Sequence, residues 1–230
     1  MKDFDLEDIK NSVHKTLSNR VKFVSEKITG LLKQEDYGTI YLAGGALTGS
    51  ISDVDLFPTS KKPLDFLRTR APILSETRNA TTLEWEPWPV QLCYYAHDSL
   101  EKLVESFDYA HVQAGAELIC FENKFLINSI YFTPNFLKAH ASDTTWFCGT
   151  EFPLSSVVRA GKYYKKGVMS RGVYIRSVIA ALNAMIRRGF LDYEDFKNQL
   201  DAVDLGLLPE DFKEIEYSPL RELFEILKKK

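Results

Sequence analysis

Two aspartates one residue apart, Asp53-Val54-Asp55, follow a diglycine, Gly44-Gly45, within the stretch 42–57. Carboxylates are hard oxygen ligands of the kind Mg²⁺ takes one or two of at a time, leaving its remaining positions to water and phosphate. On a β-strand, alternate side chains share a face, so this spacing sets both aspartates on one side and Val54 and Leu56 on the other. Glycines at 44 and 45 let backbone approach a ligand closely and leave N–H groups free for phosphate oxygens. Ser50 and Ser52 lie between the two features, where hydroxyls can also meet phosphate. A phosphate-holding turn ahead of a metal-holding strand points to phosphoryl or nucleotidyl transfer.

The elements around these residues can be read from periodicity. Leu17, Val21, Val24, Ile28 and Leu31 recur at steps of three and four, which predicts a long amphipathic helix from Leu6 to about Gly30, packed on a sheet. Tyr37-Gly38 turns into a strand over 39–43, the diglycine turn and a short helical piece follow, and Asp53–Phe57 forms the second strand. A short helix is expected over 64–70 after the turn at Pro58–Pro63. The β-branched and aromatic runs 80–85 and 90–95 predict a hairpin, 99–107 a helix capped by Ser99 or Asp98, and 117–121 with 124–129 a second hairpin. Helices are expected at 155–166, 171–188, 193–203 and 220–229, with Asp192 and Pro209 at helix starts. The fold class is therefore α+β: a mixed sheet flanked by helices at 1–135, then a helical part at 136–230.

Composition limits the remaining choices. The chain has 230 residues, 45% apolar and 27% charged, as in an ordinary globular protein. No apolar run approaches the ~18 residues of a membrane span, and the polar, acidic start Met1–Asp8 does not read as a signal or transit peptide, so a cytoplasmic protein is expected. Cys93, Cys120 and Cys148 have no metal-ligand spacing and read as buried, reduced thiols. His14, His97, His111 and His140 are scattered and read as structural or surface residues. A net charge of −3 argues against a dedicated nucleic-acid binder with a broad basic surface.

The diglycine, its spacer and the Asp-Val-Asp strand resemble the signature of the nucleotidyltransferase-fold superfamily, which includes DNA polymerase beta, poly(A) polymerases and CCA-adding enzymes. Two further blocks are similar to the head and neck of CCA-adding enzymes. The stretch 90–114, with Ser99-Leu100-Glu101 and Asp108-Tyr109, is similar to the head's strand, its Ser-Leu-Glu helix and its later Asp-Phe motif. Arg159-Ala-Gly-Lys162-Tyr163-Tyr-Lys-Lys166-Gly167 resembles the basic neck helix. The resemblance runs over roughly residues 25–170. It implies a nucleotidyltransferase that moves NMP from an NTP, ATP among them, to a hydroxyl of a small molecule, a protein or an RNA end.

On that resemblance Asp53 and Asp55 hold two Mg²⁺ (or Mn²⁺) ions, and Asp108 joins them as a catalytic carboxylate. Gly44, Gly45, Ser50 and Ser52 contact phosphates, while Arg159, Lys162 and Lys166, three and four apart on one helix face, neutralise charge. The chain departs from the pattern at two points. Ser106-Phe107 stands where the family has Arg-Arg, and Gln91 occupies a strand position that can carry a third carboxylate. Either two aspartates suffice, or Asp108, Glu84 or Glu86 helps, or activity has been lost. In the last case the protein binds nucleotide or a partner protein without turnover. A toxin- or antitoxin-type enzyme acting on tRNA or protein is a third reading. Only about sixty residues follow the neck-like helix, so the long helical body that holds a tRNA arm is not expected, and extended nucleic acid is an unlikely partner.

Overall fold

A computed structural model of the chain describes residues 6–31, 38–49, 51–77, 79–94, 97–122 and 124–203. The chain divides into two units, Met1–Ser142 and Asp143–Lys230.

The first unit is built on a seven-stranded mixed sheet in the order β3-β4-β5-β2-β1-β6-β7. Its strands are β1 (Gly38–Ala43), β2 (Val54–Pro58), β3 (Ile73–Glu76), β4 (Ala80–Leu83), β5 (Val90–Cys93), β6 (Ala114–Phe121) and β7 (Lys124–Phe132). Its helices are α1 (Leu6–Ile28), α2 (Lys61–Leu67), α3 (Leu100–Glu105) and α4 (Pro134–Ser142). β2 runs parallel to β5, and the other neighbours pair antiparallel. The expected hairpins are present as β4–β5 and β6–β7.

Strand alternation sorts the sheet into two faces. Ile40, Leu42, Val54, Leu56, Val90 and Leu92 point to one side and form the main core with Val13, Leu17, Val21, Val24 and Ile28 of α1. Glu7 and Asp8 open that helix and Lys27 closes it, so the charges complement its dipole. At its end Gly30 allows a close approach, because a Cβ there would lie 3.0 Å from the Trp85 ring. The indole N–H of Trp85 donates to the Lys27 carbonyl at 3.1 Å, tying this helix end to the β4–β5 connection.

The opposite face carries a smaller apolar cluster, Tyr41, Ala43, Phe57 and Cys93 under Leu100, Leu103 and Val104 of α3. Ser99 caps α3 by accepting the Lys102 N–H at 3.3 Å, which decides between the two expected caps. Gly115 of β6 makes room for α3: a Cβ there would sit 2.8 Å from both Leu100 and Val104.

The second unit is helical in its described part: α5 (Pro153–Lys165), α6 (Arg171–Arg188) and α7 (Tyr193–Asp201). Ser170 and Asp192 cap α6 and α7, accepting the N–H groups of Val173 and Asp195. Three elements depart from the sequence expectation. β3 and α4 were not expected, and Lys166 lies just past the end of α5 as its C-cap. The expected helix 220–229, Pro209 and Ser50 lie outside the described residues.

Candidate active site

The site forms where β1 ends and β2 begins. β1 delivers the chain to Gly44, whose φ of +83° is a conformation that side chains resist. The turn continues as one 3-10 segment, Gly44–Leu47. Gly44 is buried against Asp55, and a Cβ on it would meet the Asp55 Oδ2 at 3.1 Å. The first glycine is therefore required twice, for its backbone angle and for the carboxylate packed on it. Gly45 is exposed and has open space within 4 Å of a built Cβ. Its backbone is thus presented outward.

Asp55 lies on β2 in register with Ala43 of β1 and Gln91 of β5. Gln91 in turn pairs with Thr82 of β4. Asp53 falls one residue before β2 rather than inside it, because Val54 begins the ladder by donating its N–H to the Pro89 carbonyl at 3.0 Å. The strand argument for a shared face is thus corrected to a strand residue and its approach residue. Even so, both carboxylates act on one neighbour. The Cys93 thiol is pushed well above its usual pKa, first by burial and then by the negative charges of Asp55 and Asp53. It is held as a neutral thiol, which is not the form that binds metals or attacks electrophiles. Its Sγ lies 3.9 Å from the Gln91 Oε1 as a hydrogen-bond donor.

Ser52, expected among the phosphate contacts, bonds a neighbouring carboxylate. Its hydroxyl donates to Asp53 Oδ1 at 2.6 Å, so it orients a carboxylate. A residue that the sequence reading missed holds the loop from behind. Arg20 of α1 donates from Nε to the Ala46 carbonyl at 2.9 Å and from Nη2 to the Gly49 carbonyl at 2.5 Å. Nothing local marks Arg20, which is one more charge beside the apolar stripe of an amphipathic helix. Its partners are 26 and 29 residues away.

Asp108 is buried at 2% exposure in the turn after α3, beside fully buried Tyr109. Among the described residues no group of three or more Asp, Glu, His or Cys side chains is arranged to hold a metal ion. Asp108, Glu84 and Glu86 therefore do not complete a three-carboxylate set with Asp53 and Asp55; Glu84 and Glu86 are exposed near the β4–β5 turn. The candidate donors are the two hard oxygen side chains of Asp53 and Asp55, with the neutral amide of Gln91 in register beside Asp55. That suits Mg²⁺, which is usually held by one or two carboxylates plus substrate phosphates and water.

The basic residues expected to help lie in the second unit. Arg159 is half-buried on α5 and donates from Nη2 to the Ser155 hydroxyl at 2.9 Å. Lys162 is half-buried one turn later, and Lys166 is exposed.

No protein-family model and no curated protein matches the chain. Among solved structures it is similar to the Thermotoga maritima CCA-adding enzyme complexed with tRNA, at 11% identity and a TM-score of 0.47, over 94% of this chain and 54% of that one. A CCA-adding enzyme with CTP matches at 11% identity and a TM-score of 0.48, over 93% of this chain and 52% of that one. The Bacillus stearothermophilus CCA-adding enzyme in complex with CTP matches at 11% identity and 0.43, over 81% and 48%. The chain spans about half the length of these structures. So loose a likeness says nothing about activity.

Proposed function

We propose that the protein is a metal-dependent nucleotidyltransferase that moves NMP from an NTP to a hydroxyl acceptor and releases pyrophosphate. The observation that carries this reading is the contact between Gly44 and the Asp55 carboxylate, with Asp53 two residues away. The Gly44–Leu47 turn and the Asp55 carboxylate thereby lie side by side. Such juxtaposition is what a triphosphate needs, since its negative oxygens must meet N–H donors and cations together.

Asp53 and Asp55 would hold Mg²⁺, which when bound neutralises phosphate charge and lowers the pKa of an acceptor hydroxyl. Ser52 fixes the rotamer of Asp53 through its 2.6 Å hydrogen bond. Gly45 and its neighbours offer backbone N–H groups to the outer phosphates. Arg20 holds the carbonyls of Ala46 and Gly49, which keeps the loop in shape before any ligand arrives. Arg159, Lys162 and Lys166 are assigned to charge neutralisation. Asp108 is assigned the ordering of the turn it is buried in.

The register of Gln91 beside Asp55 favours a second reading, a nucleotide-binding or partner-binding protein without turnover. A neutral amide contributes no third negative charge there. Calorimetric titration of each NTP with Mg²⁺, beside an assay of pyrophosphate release, separates the two. Metal-dependent binding with release, both lost in Asp53→Ala/Asp55→Ala, supports transfer. Binding without release supports nucleotide binding without turnover, and absence of binding removes transfer and leaves the partner-binding form of the second reading.

A further inference from the structure

Asp55 sits in a row of residues that crosses the sheet on the face away from α1. Toward β1 the row is closed: Ala43 is fully buried, and a Cβ at the next position, Gly115 of β6, would already touch Leu100 and Val104 of α3. Toward β5 it is open. Asp55 pairs with Gln91, Gln91 with Thr82 of β4, and Thr82 with Ser75 of β3, so the four share one face in register. Gln91 and Thr82 are half-buried and Ser75 is exposed. Neighbouring strands lie about 4.8 Å apart, so the row runs about 14 Å from β2 to β3, a distance that a small molecule can span.

The hydrogen-bonding groups of this row are unspent. Among the described residues, the Thr82 and Ser75 hydroxyls and the Gln91 amide N–H groups have no partner in the protein, and the Gln91 Oε1 takes only the weak Cys93 thiol at 3.9 Å. Polar side chains elsewhere on the sheet are paired off, Thr81 with Tyr94, and Glu117 with Asn128 and Ser129. Beyond Asp55 the row is also uncharged. No lysine, arginine or histidine occurs in β2, β3, β4 or β5, and Glu76, the other carboxylate of these strands, is paired with Arg68.

We propose that Gln91, Thr82 and Ser75 form the acceptor subsite, and that the acceptor is a small uncharged polyol, a sugar or a cyclitol. The proposal rests on the nucleotidyl-transfer reading and names its acceptor. In-line displacement sets the direction, because the attacking and leaving oxygens lie on opposite sides of the phosphorus. β1, which ends in the Gly44–Leu47 turn assigned to the outer phosphates, flanks β2 on one side, and β5 flanks it on the other. Pyrophosphate leaving toward the turn therefore calls for a hydroxyl arriving from the Gln91 side. There the acceptor oxygen bonds to the α-phosphorus, the α–β P–O bond breaks with its electron pair on pyrophosphate, and the hydroxyl proton passes to water. An amide and two hydroxyls match the hydroxyls of a polyol, since both sides donate and accept. The phosphates of an RNA end would find no cation on these strands.

The test uses the full chain, Mg²⁺ and an NTP labelled at its α-phosphate. It is offered neutral monosaccharides, disaccharides and inositols, beside a short RNA with a free 3′-hydroxyl and a serine peptide. Calorimetry of NTP binding runs in parallel. Label is expected on a neutral polyol. Thr82→Val/Ser75→Ala should raise the KM for that acceptor about tenfold while kcat and NTP affinity stay within about a factor of two, the scale of one or two lost hydrogen bonds. Thr82→Ser, which keeps the hydroxyl, should retain the wild-type KM, and unchanged NTP affinity shows that each variant is folded. Label passing only to the RNA or the peptide overturns the proposal and leaves the transfer reading standing. Polyol labelling with an unchanged KM in the double variant overturns the subsite in the same way, and so does NTP binding with no polyol labelled. Absence of NTP binding removes the transfer reading itself, and the acceptor subsite with it.

Discussion

Asp55 and Leu56 are consecutive residues of one strand, yet they belong to two different economies of the molecule. Leu56 is fully buried between β2 and α1 in a face made of aliphatic side chains. Asp55 looks the other way, onto a face where α3 covers only part of the sheet and Gln91, Cys93 and Gly44 are its surroundings. The pleat makes this separation possible, since each strand can give every second residue to packing and the alternate ones to chemistry. What the difference teaches is that stability and activity can be damaged one at a time here, by changes at neighbouring positions.

The largest expected effect is on the open face. On the proposed function, Asp55→Asn should lower Mg²⁺-dependent transfer on the order of a thousandfold, while the urea midpoint stays close to wild type; a parallel assay and denaturation curve check both halves. Leu56→Ala should do the reverse. It removes a fully buried side chain and costs about 3 kcal/mol of stability, while the folded fraction retains activity within about a factor of two. Equal damage to activity and stability in either variant would break the separation of the faces. Gly44→Ala is predicted to cross the boundary. The positive φ costs about 1–2 kcal/mol, and the crowding of Asp55 lowers transfer as well, so both readouts move together.

Smaller effects sharpen the comparison. Ser52→Ala removes the hydrogen bond that orients Asp53 and should cost about tenfold in transfer with stability unchanged, the scale expected when a metal ligand loses its supporting contact. The smallest effect lies in the second unit and has no stake in either face. Asp195 is held below its usual pKa, first by the hydrogen bond from Arg188 and also by the Leu191 N–H. Its folded pKa is below the unfolded value of about 3.9. Its stabilisation is therefore present above that pH and is lost as pH falls through the folded value. Asp195→Asn should flatten the acid limb of the stability curve while leaving transfer at neutral pH unchanged.

The sequence made much of the packed face legible, because periodicity is written wherever burial is one-sided. The stripe of α1, the strands around 40, 56 and 92, and both hairpins could be read in this way. β3 could not be, since all four residues Ile73–Glu76 are exposed on the sheet edge and no alternation survives there. The site was legible in its parts and not in its joints. Gly44, Gly45, Asp53 and Asp55 stand out by type and spacing. The contact of Gly44 with Asp55 and the 26-residue reach of Arg20 depend on tertiary packing. The hydrogen bond from Ser52 to Asp53 was not legible either, because a serine's type does not reveal which oxygen its hydroxyl will find. Gln91 shows the opposite case: its identity was noticed from the sequence, and the register then set it next to Asp55.

The bridge from Arg20 to the loop carbonyls also bears on how this site could be moved or divided. The carboxylates and glycines occupy a stretch of twelve positions, 44–55, which invites treating them as a portable cassette. Yet the loop's curvature is held by a helix made earlier in the chain, and that helix is held by the sheet core through Val21 and Val24. A fragment beginning at β1 would keep every candidate metal ligand and lose the brace that shapes the turn. The smallest heritable unit of this candidate site therefore begins with α1, well before the first candidate ligand-binding residue.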